Sequence, residues 1–306
     1  MSHFKFYLEK LTPDKSGAAA ILPAIRMISS NYGDMAVVVF NDTLKDSSKE
    51  DLKSLIEQTG LPYEITQFNE SIESVFSWIK SVYEKFSEIR VFAVVGMGVF
   101  VTGDSKADAD LALKCILEGF TYEPDPELCC IASGRLSGKI AIVTGSAQGF
   151  GEGIAQEMAA QGAYMVIADL NEELAGKVAT QMNIDYGTGT ALAVKVNVSD
   201  ENSVRDMVEK VVCEYGGLDV FVSNAGVLRA GSLEDMSVSD FDFVTKINYS
   251  AYFICVKYAS RPMKIQSFIN PEYWTDIIQI NSKSGLEGSN KNFAYAGGKF
   301  GGIGLT

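Results

Sequence analysis

Near its C-terminal end the sequence reads YAGGK over 295–299, which sets Tyr295 and Lys299 four residues apart. Side chains at that spacing share one face of a helix, so a phenol and an ammonium are expected to project into the same space. A free tyrosine titrates at about 10, too high for a base near neutral pH. A neighbouring ammonium stabilises the phenolate and brings it toward the range of a general base. Ser282 stands thirteen residues before Tyr295, at the end of the strand-like run DIIQINS (276–282). Its hydroxyl could hydrogen-bond the oxygen of a reacting alcohol or carbonyl. A tyrosine and a lysine at this spacing are common on helices, so the chemistry depends on what the upstream chain provides.

Upstream, TGSAQGFG (144–151) falls between a strand-like run, KIAIVTG (139–145), and a helical stretch over 149–161. Gly145 permits a tight turn there, and Gly149 and Gly151 let the backbone approach a pyrophosphate at the positive end of the helix. Asp169 closes the next strand, AYMVIAD (163–169), where a carboxylate can accept from both hydroxyls of an adenosine ribose. The same charge repels a 2′-phosphate, and no arginine follows to offset it, which favours NAD over NADP. The expected cofactor-binding residues in this unit are Gly145, Gln148, Gly149, Phe150, Gly151, Asp169 and Leu170.

Composition narrows the alternatives. The chain has 306 residues, 47% hydrophobic and 21% charged, within the range of folded globular proteins. A formal charge of −13 argues against nucleic acid as a partner, because binding its backbone needs a surface rich in lysine and arginine. His3 is the only histidine and lies in a terminal segment, so neither a histidine metal site nor a Ser-His-Asp triad is available. Five cysteines without CxxC spacing give no zinc signature, and Cys129–Cys130 read as idle thiols. There is neither a membrane-length apolar run nor an apolar signal core at the N-terminus, and the expected location is cytoplasmic.

Two α/β blocks are expected: a small domain over 1–122, a linker over 123–137, and a dehydrogenase-type domain over 138–306. The stretch TYEPDPELCCIASGRLSG (121–138), with two prolines and scattered acids and glycines, marks the boundary. In the first block MAVVVF (35–40) reads as a buried strand, with helices over 48–60, 71–86 and 106–119. VFAVVGMGVFVTG (91–103) reads as a strand entering a glycine turn; its GMGVF lacks the Lys-Ser/Thr end of a P-loop. In the second block strands over 139–145, 163–169, 191–197, 218–224 and 276–282 alternate with helices over 149–161, 171–182, 201–215 and 238–260. That rhythm predicts an α/β fold with a doubly wound parallel Rossmann sheet.

The TGxxxGxG spacing, the SNAG element (223–226), Asn248 in KINYSAYF, Ser282 and YAGGK together resemble the short-chain dehydrogenase/reductase family. The resemblance implies Ser282, Tyr295 and Lys299 as catalytic residues, and Asn248 as the asparagine that holds a water of a proton relay. It also implies Asn197, Val198, Asn224, Ala225, Gly226, Tyr295 and Lys299 as further cofactor-binding residues. Asn197 stands where the family usually has an aspartate that touches adenine; its amide oxygen could meet the adenine amino group instead. Ser223 replaces the first asparagine of the family's NNAG element, a structural position.

The segment 277–306, with INSKSG and the ending YxxxKFGGxGLT, further resembles the family's members that oxidise sorbitol 6-phosphate to fructose 6-phosphate with NAD. Lys283, Asn290, Lys291 and Asn292 are the candidate receivers of a phosphate or polyol hydroxyls; a solvated loop is the alternative for these four. The segment 91–115 resembles the piece that precedes the dehydrogenase domain in aldolase–dehydrogenase fusions acting on rhamnulose 1-phosphate. Without the aldolase's histidines, the N-terminal block is expected to be a non-catalytic remnant. Relatives continue past the position of Thr306 through two more strands and a lid, so the sequence is expected to be part of a longer enzyme, a homo-oligomer (dimer or tetramer). The competing expectations are a dehydrogenase of another sugar phosphate or deoxy-sugar, and a catalytically inactive NAD-binding scaffold.

Overall fold

Serine hydroxyls set the starts of the helices in the first block. The computed structural model describes residues 15–30, 36–68, 71–86, 88–128 and 133–306; His3 and Cys129–Cys130 lie outside them. Helices α2 (Lys49–Thr59), α3 (Ile72–Lys85) and α4 (Lys106–Glu118) begin after Ser48, Ser71 and Ser105, whose side chains each accept from a backbone N–H of the first turn. Helices α2 and α4 stop at Gly60 and Gly119, both at φ 72°. An earlier helix, α1 (Lys15–Ser29), carries Pro23 in its interior.

Strands β1 (Val37–Asn41), β2 (Tyr63–Gln67), β3 (Val91–Val95) and β4 (Gly98–Gly103) form one sheet in the order β1-β4-β3-β2. Strand β4 is antiparallel to both β1 and β3, while β2 and β3 run parallel. The run expected to be one strand entering a turn is therefore a hairpin. Gly96 and Gly98 take positive φ at its bend, and a Cβ on Gly98 would lie 2.3 Å from the Asn41 carbonyl oxygen. GMGVF is thus a tight turn with close packing.

The second block has all its strands parallel. They are β5 (Ile140–Thr144), β6 (Tyr164–Asp169), β7 (Ala191–Lys195), β8 (Val220–Ser223) and β9 (Asp276–Gln279), in the order β7-β6-β5-β8-β9. Chain order reverses on either side of β5, so the carboxyl ends of β5 and β8 open onto a crevice. Helices α5 (Gly149–Ala160) and α6 (Glu172–Tyr186) pack together, as do α7 (Glu201–Tyr215) and α9 (Ala251–Ile269). Helix α8 (Val238–Thr245) runs into α9 through a π-helical turn (Lys246–Ser250), so the expected helix over 238–260 extends to 269 with an irregular turn inside it. A short α10 (Ser284–Glu287) and α11 (Phe293–Leu305) follow β9. Two strands end at least two residues earlier than expected. Strand β7 stops at Lys195 and β9 at Gln279, which puts Asn197, Val198 and Ser282 in the loops beyond the ladders. Among the described residues no helix is long and apolar enough to cross a membrane.

One apolar cluster runs from the first sheet into the second. It joins Ile21, Leu22 and Ile25 of α1 to Val204, Val208 and Val211 of α7, and to Tyr258 and Met263 of α9. Fully burying an isoleucine or leucine is worth roughly 1.5–3 kcal/mol. In its midst Arg26 of α1 is 0% exposed and donates to both oxygens of Asp219, at 2.9 and 2.8 Å. Arg26 also donates to the Gly138 and Ala36 carbonyls. Asp219, just before β8, accepts in addition from Ile140 N (2.8 Å) and Gln266 Nε2 (2.7 Å). The ion pair therefore ties α1 to the starts of β5 and β8 and to α9. Close by, Lys139 lies 3.6 Å from the ring centre of Tyr273 and 4.0 Å from that of Trp274; burial pushes its pKa down to about 8.

Candidate active site

The glycine loop is shaped by positive φ and by contact. Gly145 takes φ 66° at the end of β5 and Gly149 takes φ 63° at the start of α5. A Cβ on Gly151 would lie 2.2 Å from the Gly145 carbonyl oxygen and 2.6 Å from Asn224 Nδ2, a clash no side chain escapes. A Cβ on Gly149 would meet nothing within 4 Å, so the loop backbone there faces open space. Two buried hydroxyls brace the loop. Ser146 Oγ donates to the Val143 carbonyl and accepts from Ala168 N, while Thr144 Oγ1 accepts from Asn224 N and Ala225 N. Asn224 Nδ2 donates to the carbonyls of Thr144 and Gly145, which locks the SNAG element to the loop.

These elements bound a cleft of about 600 Å³ at the reversal point of the sheet. The structure brings together there Gly145, Gln148, Gly149, Phe150, Gly151, Asp169, Leu170, Asn197, Val198, Asn224, Ala225 and Gly226. Ala168, Val196, Val227 and Ile247 line it as well, and sequence reading missed them. Ala168 and Val196 were legible only as buried strand-end residues, and Ile247 lies in the unforeseen π-helical turn. Phe150 is 87% and Leu170 66% exposed, so both present apolar surface at the cleft.

Asp169 accepts from Ala147 N (3.1 Å) on one oxygen and Asn171 N (2.9 Å) on the other. A carboxylate offers about four acceptor positions, so two remain for ribose hydroxyls. Asn197 departs from expectation. Its Oδ1 accepts from both the N–H and the hydroxyl of Ser199, at 3.1 and 2.9 Å, which occupies the lone pairs expected to meet an adenine amino group. What it can offer a ligand is the Nδ2 donor pair.

Lys299 and Tyr295 lie on α11, with Lys299 Nζ 5.7 Å from the Tyr295 ring centre. Lys299 is buried, and burial holds its pKa below the ordinary lysine value. Its ammonium donates to the Ile280 carbonyl at 2.6 Å. A Cβ on Gly226, in the wall of the cleft, would stand 3.9 Å from that ammonium, so the pair lies next to the cleft wall, although neither Tyr295 nor Lys299 lines the cleft itself. Asn248 is buried in the π-helical turn and spends both ends of its amide on Val227, donating to the carbonyl and accepting from the N–H. Its side chain thus fixes the loop after β8. Ser282 is half-buried, and its hydroxyl accepts from Ser284 N at 3.3 Å.

The four expected substrate residues are dispersed. Lys283 is exposed and faces Glu287 at 3.7 Å. Asn290 and Lys291 are exposed, and the Lys291 carbonyl accepts from Gly231 N, which joins this loop to the segment after β8. Asn292 is half-buried, and its Oδ1 is buried without a hydrogen-bond partner. None of the four side chains is bonded to Ser282, Tyr295 or Lys299 among the described residues. Sequence reading also missed Asn281 and Gln279, which tie the Ser282 loop to α11. An amide-bearing pair flanking an isoleucine at a strand end was their one visible trace.

Known proteins share the fold of the second block. The chain is 34% identical over 168 residues to sorbitol-6-phosphate 2-dehydrogenase of Escherichia coli (strain K12), a match covering 55% of this chain and 63% of the relative. It is 37% identical over 178 residues to trans-4-hydroxycyclohexanecarboxylate dehydrogenase of Sinomonas cyclohexanicum, covering 57% and 66%. The crystal structure of sorbitol-6-phosphate 2-dehydrogenase from Erwinia amylovora superposes with a TM-score of 0.51 at 38% identity, covering 54% of this chain and 63% of that one. The chain thus spans slightly under two thirds of the length of these relatives. With residues 139–306 matching the family model, the chain belongs to the short-chain dehydrogenase family.

Proposed function

We propose that the chain is an NAD-dependent dehydrogenase of a sugar-alcohol phosphate, converting sorbitol 6-phosphate to fructose 6-phosphate. The observation that carries the reading is the adjacency of the cleft formed by the Gly145–Gly151 loop and Asp169, with Gly226 in its wall, to the buried Lys299 beside Tyr295. The open backbone at Gly149 and the two remaining acceptor positions on Asp169 suit a dinucleotide without a 2′-phosphate. When bound, NAD supplies the hydride acceptor. Tyr295 takes the proton of the substrate hydroxyl. Lys299 stabilises the phenolate and holds the nicotinamide ribose, and Ser282 orients the reacting oxygen. Asn248, whose side chain holds the loop at Val227, is read as the asparagine that holds a water of the proton relay. Lys283, Asn290, Lys291 and Asn292 are read as the substrate's phosphate and hydroxyl contacts. The N-terminal block is read as non-catalytic, and exposed Phe253, Phe300 and Ile303 on α9 and α11 support a homo-oligomer.

The test is NADH formation with sorbitol 6-phosphate against sorbitol. Turnover of the free polyol but not of the phosphate would remove the phosphate assignment.

Two substitutions probe the cofactor half. Gly151→Ala forces its methyl into the Gly145 carbonyl, so NAD affinity measured by calorimetry is expected to fall at least about tenfold. Unchanged affinity would mean that the loop does not carry the dinucleotide. Asp169→Ser removes the charge that repels a 2′-phosphate and is expected to move the NADP-to-NAD affinity ratio upward by roughly tenfold or more. An unmoved ratio would take Asp169 out of cofactor choice.

A further inference from the structure

Ser282 is not held by the sheet. Strand β9 ends at Gln279, and Ser282 lies three residues further on, before α10 begins at Ser284. A hydroxyl that must orient a reacting oxygen needs some other anchor, because a displacement of about 1 Å can cost on the order of 10²-fold in rate. The Asn281 side chain supplies one. Its Oδ1 accepts from Ser282 N at 2.7 Å, and its Nδ2 donates to the Lys299 carbonyl at 3.0 Å and to Gln279 Oε1 at 3.1 Å.

One amide therefore spans the two elements that carry the reaction, the Ser282 loop and α11. The neighbours are cut to fit it. A Cβ on Gly285 would lie 2.5 Å from Asn281 Oδ1 and 3.0 Å from Lys299 Cβ. A Cβ on Gly302 of α11 would lie 2.0 Å from Gln279 Nε2, so the second amide of the pair is seated directly on the helix. The Lys299 ammonium closes the circuit on the Ile280 carbonyl, inside the same four-residue stretch.

We infer that Asn281 is a positioning residue that sets the Ser282 hydroxyl against the Tyr295–Lys299 pair. The role rests on the dehydrogenase reading above. It also needs the amide specifically: Oδ1 accepts at Ser282 while Nδ2, a separate atom, donates at Lys299, and a carboxylate has no donor to offer there.

The test uses the chain in its longest natural form, with Asn281→Ala and Asn281→Asp. It reads kcat, KM for NAD, melting temperature and amide exchange over the segment holding Ser282. In Asn281→Ala, kcat is expected to fall between about tenfold and a hundredfold. The KM for NAD is expected to stay within about twofold, because the Gly145–Gly151 loop is untouched, and the Ser282 amide should exchange about tenfold faster. Asn281→Asp keeps the acceptor for the Ser282 N–H but loses the donor to Lys299. Its amide exchange should stay close to wild type while kcat remains depressed. An active wild type whose two variants keep their kcat would overturn the role alone. The same holds if kcat falls only in step with melting temperature and with a rising KM for NAD, the signature of a merely structural residue. A wild type that binds NAD and yields no NADH would overturn the dehydrogenase reading, and this role with it.

Discussion

Tyr295→Phe is expected to lower kcat between about 10²- and 10⁴-fold while leaving NAD affinity within about threefold of wild type. The span is that of a single general acid–base group. In the proposed reading the phenol takes the hydroxyl proton, since the Lys299 ammonium is a donor without a lone pair and one of its three protons goes to the Ile280 carbonyl. The ring itself remains in phenylalanine, so the wall it forms beside Lys299 should persist. Steady-state kinetics with calorimetry on the same protein would check both halves. A loss of NAD affinity as large as the loss of kcat would mean that Tyr295 shapes the site and does not act in the chemistry.

Arg26→Met carries the largest expected effect on stability. Removing one partner of a fully buried ion pair leaves the other charge without compensation, a cost of about 3–5 kcal/mol. In a chain of this size that corresponds to a melting-temperature drop on the order of 10 °C. The pH dependence supplies a sign. Burial raises the Asp219 pKa, but the charge and hydrogen bonds of Arg26, with Lys139 and the Ile140 N–H, more than reverse this and hold it below the ordinary carboxylate value. Asp219 therefore contributes stability above the unfolded-state value of about 3.9 and loses it as pH falls through the depressed folded value. Without Arg26 the burial effect is opposed only by Lys139 and the hydrogen bonds of Ile140 N and Gln266. The folded pKa is then expected to rise above the unfolded value, so protonation stabilises the native state. The gap between variant and wild type is expected to narrow as pH is lowered from 7 toward about 4. Denaturant titrations across that range would show it, and a gap that is constant with pH would rule out an uncompensated Asp219 as the cause.

The readable part of this protein was the part written in local spacing. The glycine loop, Asp169 and the Tyr295–Lys299 pair each depend on residues within one turn or one strand–turn–helix unit. All twelve expected cleft residues outside α11 line one crevice. The unreadable part depends on distant contacts. Helix α1 holds a glycine and an internal proline that argue against a helix, and its burial against α7 and α9 overrides that preference. Arg26 and Asp219 are 193 residues apart, so nothing local announces their pairing. Strand β2, YEITQ, is half-buried at a sheet edge and lacks a clean apolar alternation. Ser282 was placed on a strand because its run is apolar. The ladder to β8 nevertheless ends at Gln279, where the Asn281 and Lys299 bonds take over. The sequence offers the Asn197 oxygen to adenine, whereas in the fold Ser199, two residues on, engages it.

The most direct measurement follows the hydrogen itself. Sorbitol 6-phosphate deuterated at C2 would be incubated with the longest natural form of the chain and NAD, and the reduced dinucleotide analysed by mass spectrometry. The account predicts one deuterium in each NADH formed, with fructose 6-phosphate in equal amount, and no label transfer in Tyr295→Phe beyond its residual rate. NAD that binds the Gly145–Gly151 cleft yet gains no deuterium, from this or any other polyol phosphate, would contradict it.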